Sequence, residues 1–193
     1  MKLRSVLLIS LVMLAACASP VKTRYHMLSG ESPAPAKAVG ETPEYRVAIG
    51  PATIPEALDR QQIVLSIAPN PYVISDNERW SEPLKREIPR VIAEAVGQRL
   101  PRAQVAAHVQ YSGQGADYQV LIDVIRFESV PGKSITLEAT WSVRNRAGER
   151  VSEARSVFVE QVDAPGISPL VTAHAKALDN LGQEIAASLD SLY

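Results

Sequence analysis

Between residues 135 and 144 the chain alternates strictly. Ile135, Leu137, Ala139, Trp141 and Val143 are separated by Thr136, Glu138, Thr140, Ser142 and Arg144, a period of two that predicts a strand with one buried and one wet face. Asp117 to Glu128 is more apolar, with Tyr118, Val120, Ile122 and Val124 on one side and Leu121, Ile125 and Phe127 on the other, and predicts a central strand covered on both faces. Arg150 to Val162 completes a meander through turns at Pro131 and Gly132 and at Asn145 to Gly148. Shorter strands are predicted at Tyr25 to Leu28, Tyr45 to Ile49, Gln62 to Ile67, Tyr72 to Ser75 and, more weakly, Gln104 to Val109. Gly50 and Pro51 end the second of these, and Pro51 to Arg60 reads as a loop.

The period changes to three and four in two places. Leu84, Ile88, Val91, Ile92, Ala95, Val96 and Leu100 form one helix face, with Asp76, Asn77 and Ser81 as candidate starts and Pro101 as the stop. Pro89 lacks an N–H and crowds the carbonyl of Lys85, which predicts a kink or a restart there. The last helix starts with Ser168 as N-cap and Pro169 at the first helical position. Its stripe is Leu170, Leu178, Leu181, Ile185, Leu189 and Leu192, with Gly182 as a tolerated weak point. Strands, helix, strands and helix predict an α+β fold, a mostly antiparallel sheet with two main helices packed on it.

The first residues are of another kind. Lys2 and Arg4 precede an apolar stretch from Val6 to Leu14, and Ala15 and Ala16 follow, as in a signal peptide. That stretch is far shorter than the roughly 18 to 20 residues that cross a bilayer core. Leu14, Ala15, Ala16 and Cys17 look like a bacterial lipobox, so cleavage before Cys17 and acylation of its thiol are expected. Each buried methylene of such chains contributes about 0.8 kcal/mol, which makes Cys17 an anchor rather than a redox group. Residues 1–16 are thus a removed leader, and 17–43 a lipidated tether with a first strand and a Pro/Ala-rich linker from Gly30 to Pro43. Residues 44–193 are a single α+β domain.

Charge changes the picture only by exclusion. The formal net charge is −1, and loss of Lys2 and Arg4 makes the mature chain two units more negative, −3. There is no basic stripe to neutralise phosphates, so nucleic acid is not an expected partner. Cys17 is the only cysteine, so no disulfide framework exists.

Candidate chemistry is sparse. His26, His108 and His174 are the only histidines, with no metal-ligand spacing, and His174 falls on the apolar stripe of the last helix as a core histidine. No nucleophile elbow or P-loop is present, and Gly113, Gln114 and Gly115 read as a bare turn. Asp123, between apolar neighbours, reads as a buried acid with a raised pKa or, better, an acid held by an Arg or backbone partner. No catalytic residue, metal or cofactor is expected.

Ile54, Pro55, Glu56, Ala57, Leu58 and Asp59, then Ile63 and Val64, Tyr72 to Ile74, Asn77, and Arg79 to Leu84 resemble the ABC-type transport auxiliary lipoproteins, the PqiC-like family. Lipobox, tether and Tyr25 to Leu28 fall in that family's order. Ala57 departs from it where an aromatic residue is expected, so no docking role is placed there. The resemblance implies a lipoprotein anchored at the periplasmic face of the outer membrane. It works with an MCE-type, periplasm-spanning protein of an ABC-type lipid transporter, and Ala18 after the cysteine suits outer-membrane sorting. Self-association is compatible with the sequence. On this reading Leu58 and Tyr72 contact the partner, with Trp80 fixing the loops that present them; the alternative is that Tyr72 and Trp80 simply close the core. An assembly or chaperone lipoprotein of another envelope machine and a periplasmic hydrolase, acting through Asp123 or Asp76, are the competing classes.

Overall fold

The computed structural model describes residues 22–29, 42–67, 72–107 and 115–192. Cys17, the linker up to residue 41, His108, Gly113 and Gln114 lie outside them. The strands are β1 (Arg24–His26), β2 (Tyr45–Thr53), β3 (Gln62–Ser66), β4 (Tyr72–Trp80), β5 (Ala103–Ala107), β6 (Tyr118–Val130), β7 (Ser134–Asn145) and β8 (Arg150–Gln161). The helices are α1 (Leu84–Arg99) and α2 (Ile167–Asp190).

The expected α+β class holds, with the strands divided between two sheets. Five strands in the order β5-β2-β6-β7-β8 make the larger sheet, and β1-β4-β3 make the smaller one. The long ladders β6–β7 and β7–β8 are antiparallel, while β2 runs parallel to both its neighbours. A parallel pair needs a long crossover, which the chain between β2 and β5 supplies by making β3, β4 and α1.

Both helices lie against the five-stranded sheet, α1 over β2 and β5 and α2 over β7 and β8. The alternating residues Ile135, Leu137, Ala139, Trp141 and Val143 all face them and are buried. On β6 the buried set is Val120, Ile122, Val124 and Phe127, the bulge at Val124 to Arg126 returning Phe127 to the helix side. The other side of β6 is not covered: Asp123, Ile125 and Arg126 are exposed. Its apolar second row therefore reflects a central position within the sheet and not a second covering layer.

Several boundaries differ from the expected ones for local reasons. β2 runs on to Thr53, because Gly50, at φ 106, lets the strand bulge between Ile49 and Ala52 instead of ending. The bulge carbonyl of Gly50 accepts from Gln119 Nε2 at 3.2 Å. β4 continues through Asp76 and Asn77 to Trp80, because β1 pairs with Glu78 to Trp80 and supplies their hydrogen bonds; the helix waits until Pro83. α1 passes Pro89 as one element. Pro89 lies only five residues from its start, and the one carbonyl it deprives is that of Lys85. α2 begins at Ile167, two residues before the predicted position, after Gly166 turns the chain at φ 103. Pro169 still falls in the first turn, where a missing N–H costs nothing.

The helices meet at Gly182. A Cβ there would stand 2.5 Å from Ala95 Cβ, so the glycine is a close-contact residue and not a weak point. Arg99 of α1 closes the same interface with a two-pronged bond to Asp179 of α2, at 3.2 and 2.8 Å. Gly182→Ala, which in an open helix gains up to about 1 kcal/mol, is therefore expected to lower stability by about 1 kcal/mol, because overpacking costs about 1–3 kcal/mol. That corresponds to a melting temperature about 2–4 °C lower for a chain of this size. Gly182→Leu is expected to yield no folded protein. Thermal unfolding followed by circular dichroism checks both, and an alanine variant that melts higher than the parent overturns the close-approach account.

Candidate functional site

The small sheet and the segments around it carry the residues that stand out chemically. β1 is only three residues long and pairs with β4 alone, so its ladder is worth little without side chains to hold it. Glu78 of β4 supplies the hold. Its carboxylate is buried, accepts from Arg24 Nε at 2.8 Å and from a second guanidinium nitrogen, and receives His26 Nε2 at 2.6 Å. The hydrogen bonds from Arg24 hold the Glu78 carboxyl below the usual carboxylate range against its own burial, with His26 helping. Past β1, the carbonyl of His26 accepts from Ser81 N at 2.8 Å and that of Leu28 from the Arg90 guanidinium of α1. Arg90 is itself held by Glu87 and Glu94. The first described residues are thus locked onto both β4 and α1.

Sequence reasoning did not find this clamp. Glu78 lies 54 and 52 residues from Arg24 and His26, in a stretch whose polar residues read as a helix start. The available signal was weak: a Glu flanked at two-residue spacing by Asp76 and Trp80, a strand period too short to stand out.

Trp80 is in the core, 4 % exposed. It lies against Phe127 at a centroid distance of 6.4 Å and edge-on to His174 at 6.3 Å. His174 is fully buried, stacks on Phe127 at 3.9 Å, and hydrogen-bonds through Nε2 to Ser129 Oγ at 2.7 Å, while its Nδ1 has no partner. Burial pushes its pKa down to about 3, so the imidazole is neutral at physiological pH.

Leu58 sits in a single 3-10 turn, Glu56–Leu58, half-buried against the core. That turn is fixed from both sides, by Asp59 to Lys85 at 2.6 Å and by the Gln61 carbonyl accepting from Trp80 N at 2.7 Å. Tyr72 is 60 % exposed and starts β4, eight residues before Trp80, or about 26 Å at strand rise. Leu58, three residues before Gln61, therefore lies at the Trp80 end of the small sheet, and Tyr72 stands apart at the other end.

On the helix-free face of the large sheet a groove of about 650 Å³ runs between Pro51, Thr53, Asp123, Thr140 and Arg155. Asp123 is exposed there and accepts from Thr53 Oγ1, in place of the buried or Arg-held acid that the sequence suggested. Farther along this face Glu138 is held below the usual carboxylate range by Arg155, with Arg126 adding to it. Asp76 is exposed on β4. Among the described residues no three His, Cys, Asp or Glu side chains converge as metal ligands, and no helix is long and apolar enough to cross a membrane.

An α+β domain built this way, with two helices on one face of a five-stranded sheet and a short clamped N-terminal strand, defines a structural class. The chain belongs to the family of ABC-type transport auxiliary lipoprotein components, whose family model matches residues 26–186. Among solved structures it is similar to a protein described only as uncharacterised, at 16 % identity and a TM-score of 0.72, over 87 % of this chain and 99 % of that one. It is also similar to a DUF330 protein from Xanthomonas campestris, at 17 % identity and a TM-score of 0.66, over 88 % and 100 %. At these identities the likeness concerns the fold. Curated proteins gave no sequence match.

Acid is expected to loosen the domain in two stages. His174 has a folded pKa of about 3 against an ordinary 6.5, so the unfolded chain takes up its proton first and stability falls as pH drops from about 6.5. Glu78 has a folded pKa below its ordinary 4.5, so its contribution is present above that value and is lost as pH falls below it. In urea titrations from pH 7 to pH 3, His174→Gln should flatten the first slope and Glu78→Gln the second. An unchanged profile in either variant removes that group from the account.

Proposed function

We propose that this chain is a non-enzymatic lipoprotein, anchored through Cys17 to the outer membrane with its domain in the periplasm, that docks a periplasm-spanning MCE-type protein as the auxiliary component of an ABC-type lipid transport system. Membership of the auxiliary lipoprotein family carries this reading. The leader and the lipobox Leu14 to Cys17 support the anchor, and Ala18 supports outer-membrane sorting.

Leu58 is the docking side chain on this reading. It offers an apolar surface on a turn braced by Lys85 and by the Trp80 backbone, and Glu56, Asp59 and Arg60 around it are exposed. A pre-formed turn loses little conformational entropy on binding, which favours it over a loose loop. Trp80 acts from inside, by seating that turn.

Cys17→Ser is expected to leave unprocessed precursor at the inner membrane, seen as a slower band in fractionated cells; a soluble mature protein of normal size argues against the anchor. A photo-crosslinking residue placed at position 58 in living cells is expected to capture an MCE-type protein, identified by mass spectrometry. Capture of an outer-membrane barrel or assembly intermediate favours the assembly-factor class instead. Leu58→Asp should weaken that capture several-fold. A drop in melting temperature to match would mean that Leu58 serves the core, leaving the outer edge of β8, unpaired among the described residues, as the docking surface.

A further inference from the structure

The far end of the β3–β4 hairpin is apolar on both of its faces. Ile67 and Tyr72 are 60 % exposed, Ile74 45 % and Val73 41 %, and Val73 points to the opposite side from Tyr72 and Ile74. From Gln61 to Ser75 the chain has no charged residue. A flat protein partner covers one face of a hairpin. Exposed apolar groups on both faces of a tip, with a tyrosine among them, suit entry into a layer, and tyrosine favours the headgroup level of a bilayer.

The direction of β1 says which layer. Because β1 runs parallel to β4, with Arg24 opposite Glu78, its N-terminal end faces the end of the sheet where β4 starts, the Tyr72 end. Glu78 is six residues from Tyr72, a rise of about 20 Å. Arg24 is seven residues from Cys17, which at full extension spans at most about 25 Å. A tether that continues in the direction of β1 therefore reaches a bilayer no more than about 5 Å beyond Tyr72. The residues Tyr72 to Ile74 span about 7 Å along the strand, within the roughly 5–10 Å depth of the headgroup and acyl boundary.

We infer that the end of β3 and the start of β4, through Ile67, Tyr72, Val73 and Ile74, insert into the phospholipid leaflet that carries the Cys17 acyl chains and so set the orientation of the domain on the membrane. This inference rests on the lipidation of Cys17 proposed above. It gives Tyr72 a membrane contact and leaves Leu58, at the Trp80 end of the small sheet, turned toward the periplasm.

The test uses the full-length lipidated protein. Cys17 is the chain's only cysteine and acylation consumes its thiol, so Val73→Cys introduces one reactive group. The variant, labelled with an environment-sensitive fluorophore, is reconstituted in phosphatidylethanolamine–phosphatidylglycerol vesicles. A label at Lys133→Cys serves as the aqueous reference, on the turn after β6 beyond Phe127 and so near the Trp80 end. Nitroxide-bearing acyl chains are expected to quench the position-73 label about twofold or more and iodide to quench it weakly, with the reverse at position 133. A position-67 label, Ile67→Cys, is expected to follow position 73 and guards against a local disturbance by either substitution. Equal iodide quenching at 73 and 133 on acylated, vesicle-bound protein overturns the hairpin inference alone. Shielding from both quenchers also overturns it, by pointing to a second protein chain over the tip. If mass spectrometry finds no acyl groups on Cys17, the anchor and the hairpin inference fall together.

Discussion

Two helices must share one face of a five-stranded sheet, and the width of that sheet is the constraint on which the rest of the domain depends. Five strands of about 4.8 Å each make a sheet about 24 Å across, and two helices with ordinary side chains need about 20–24 Å, so the pair fills the face with little to spare. Gly182 against Ala95 lets the two helices close on each other by removing side-chain volume where they meet. With the pair closed up, α1 lies on β2 and β5, α2 on β7 and β8, and the inward residues of β6 between them, Val120, Ile122 and Val124, are buried. Glu160 of β8 then bonds Lys176 and Asn180, and Ser152 bonds Ser188, so the edge strand is held to α2 by polar as well as apolar contacts.

The small sheet depends on this arrangement in turn. Ile63, Leu28 and Trp80 belong to the same core as the helices, and Trp80 reaches it by lying across Phe127 and His174. The polar groups drawn into that region are largely paired, Ser129 with His174 and Glu78 with Arg24 and His26. An unpaired buried group costs about 1–3 kcal/mol, so such pairs keep competing packings unfavourable. His174 Nδ1, inside the aromatic cluster, is left without a partner, as are Arg79 Nε and Ser81 Oγ on either side of Trp80.

Much of the fold was legible where one face alone decides the pattern. The alternation from Ile135 to Val143 and the stripe from Leu170 to Leu189 predicted their elements because each has a single buried side. Legibility failed where pairing with distant residues governs. Nothing local says that Asp76 to Trp80 is strand, since the ladder that makes it so is contributed by Arg24 to His26. The division into two sheets and the parallel course of β2 are likewise set by crossovers that leave no periodic trace. As for the candidate site, the lipobox-like run Leu14 to Cys17 stands in consecutive residues and needs no fold to be noticed. Leu58, Tyr72 and Trp80 were singled out for being apolar in a loop-rich stretch, a criterion that does not distinguish a core tryptophan from an exposed tyrosine eight residues away.

The short first strand also bears on mechanics. A pull on the chain ahead of Lys22, directed along the axis of β1, loads its backbone bonds to β4, the Glu78 pairs and the Arg90 bond to Leu28 together, in shear. A pull at right angles would peel the same bonds away one after another, each failing at a lower force. Since β1 and β4 run parallel, a tether leaving from the Tyr72 end of the small sheet draws along the first of these directions. Three residues of strand then hold as a unit, and the load passes to β4 and α1 together.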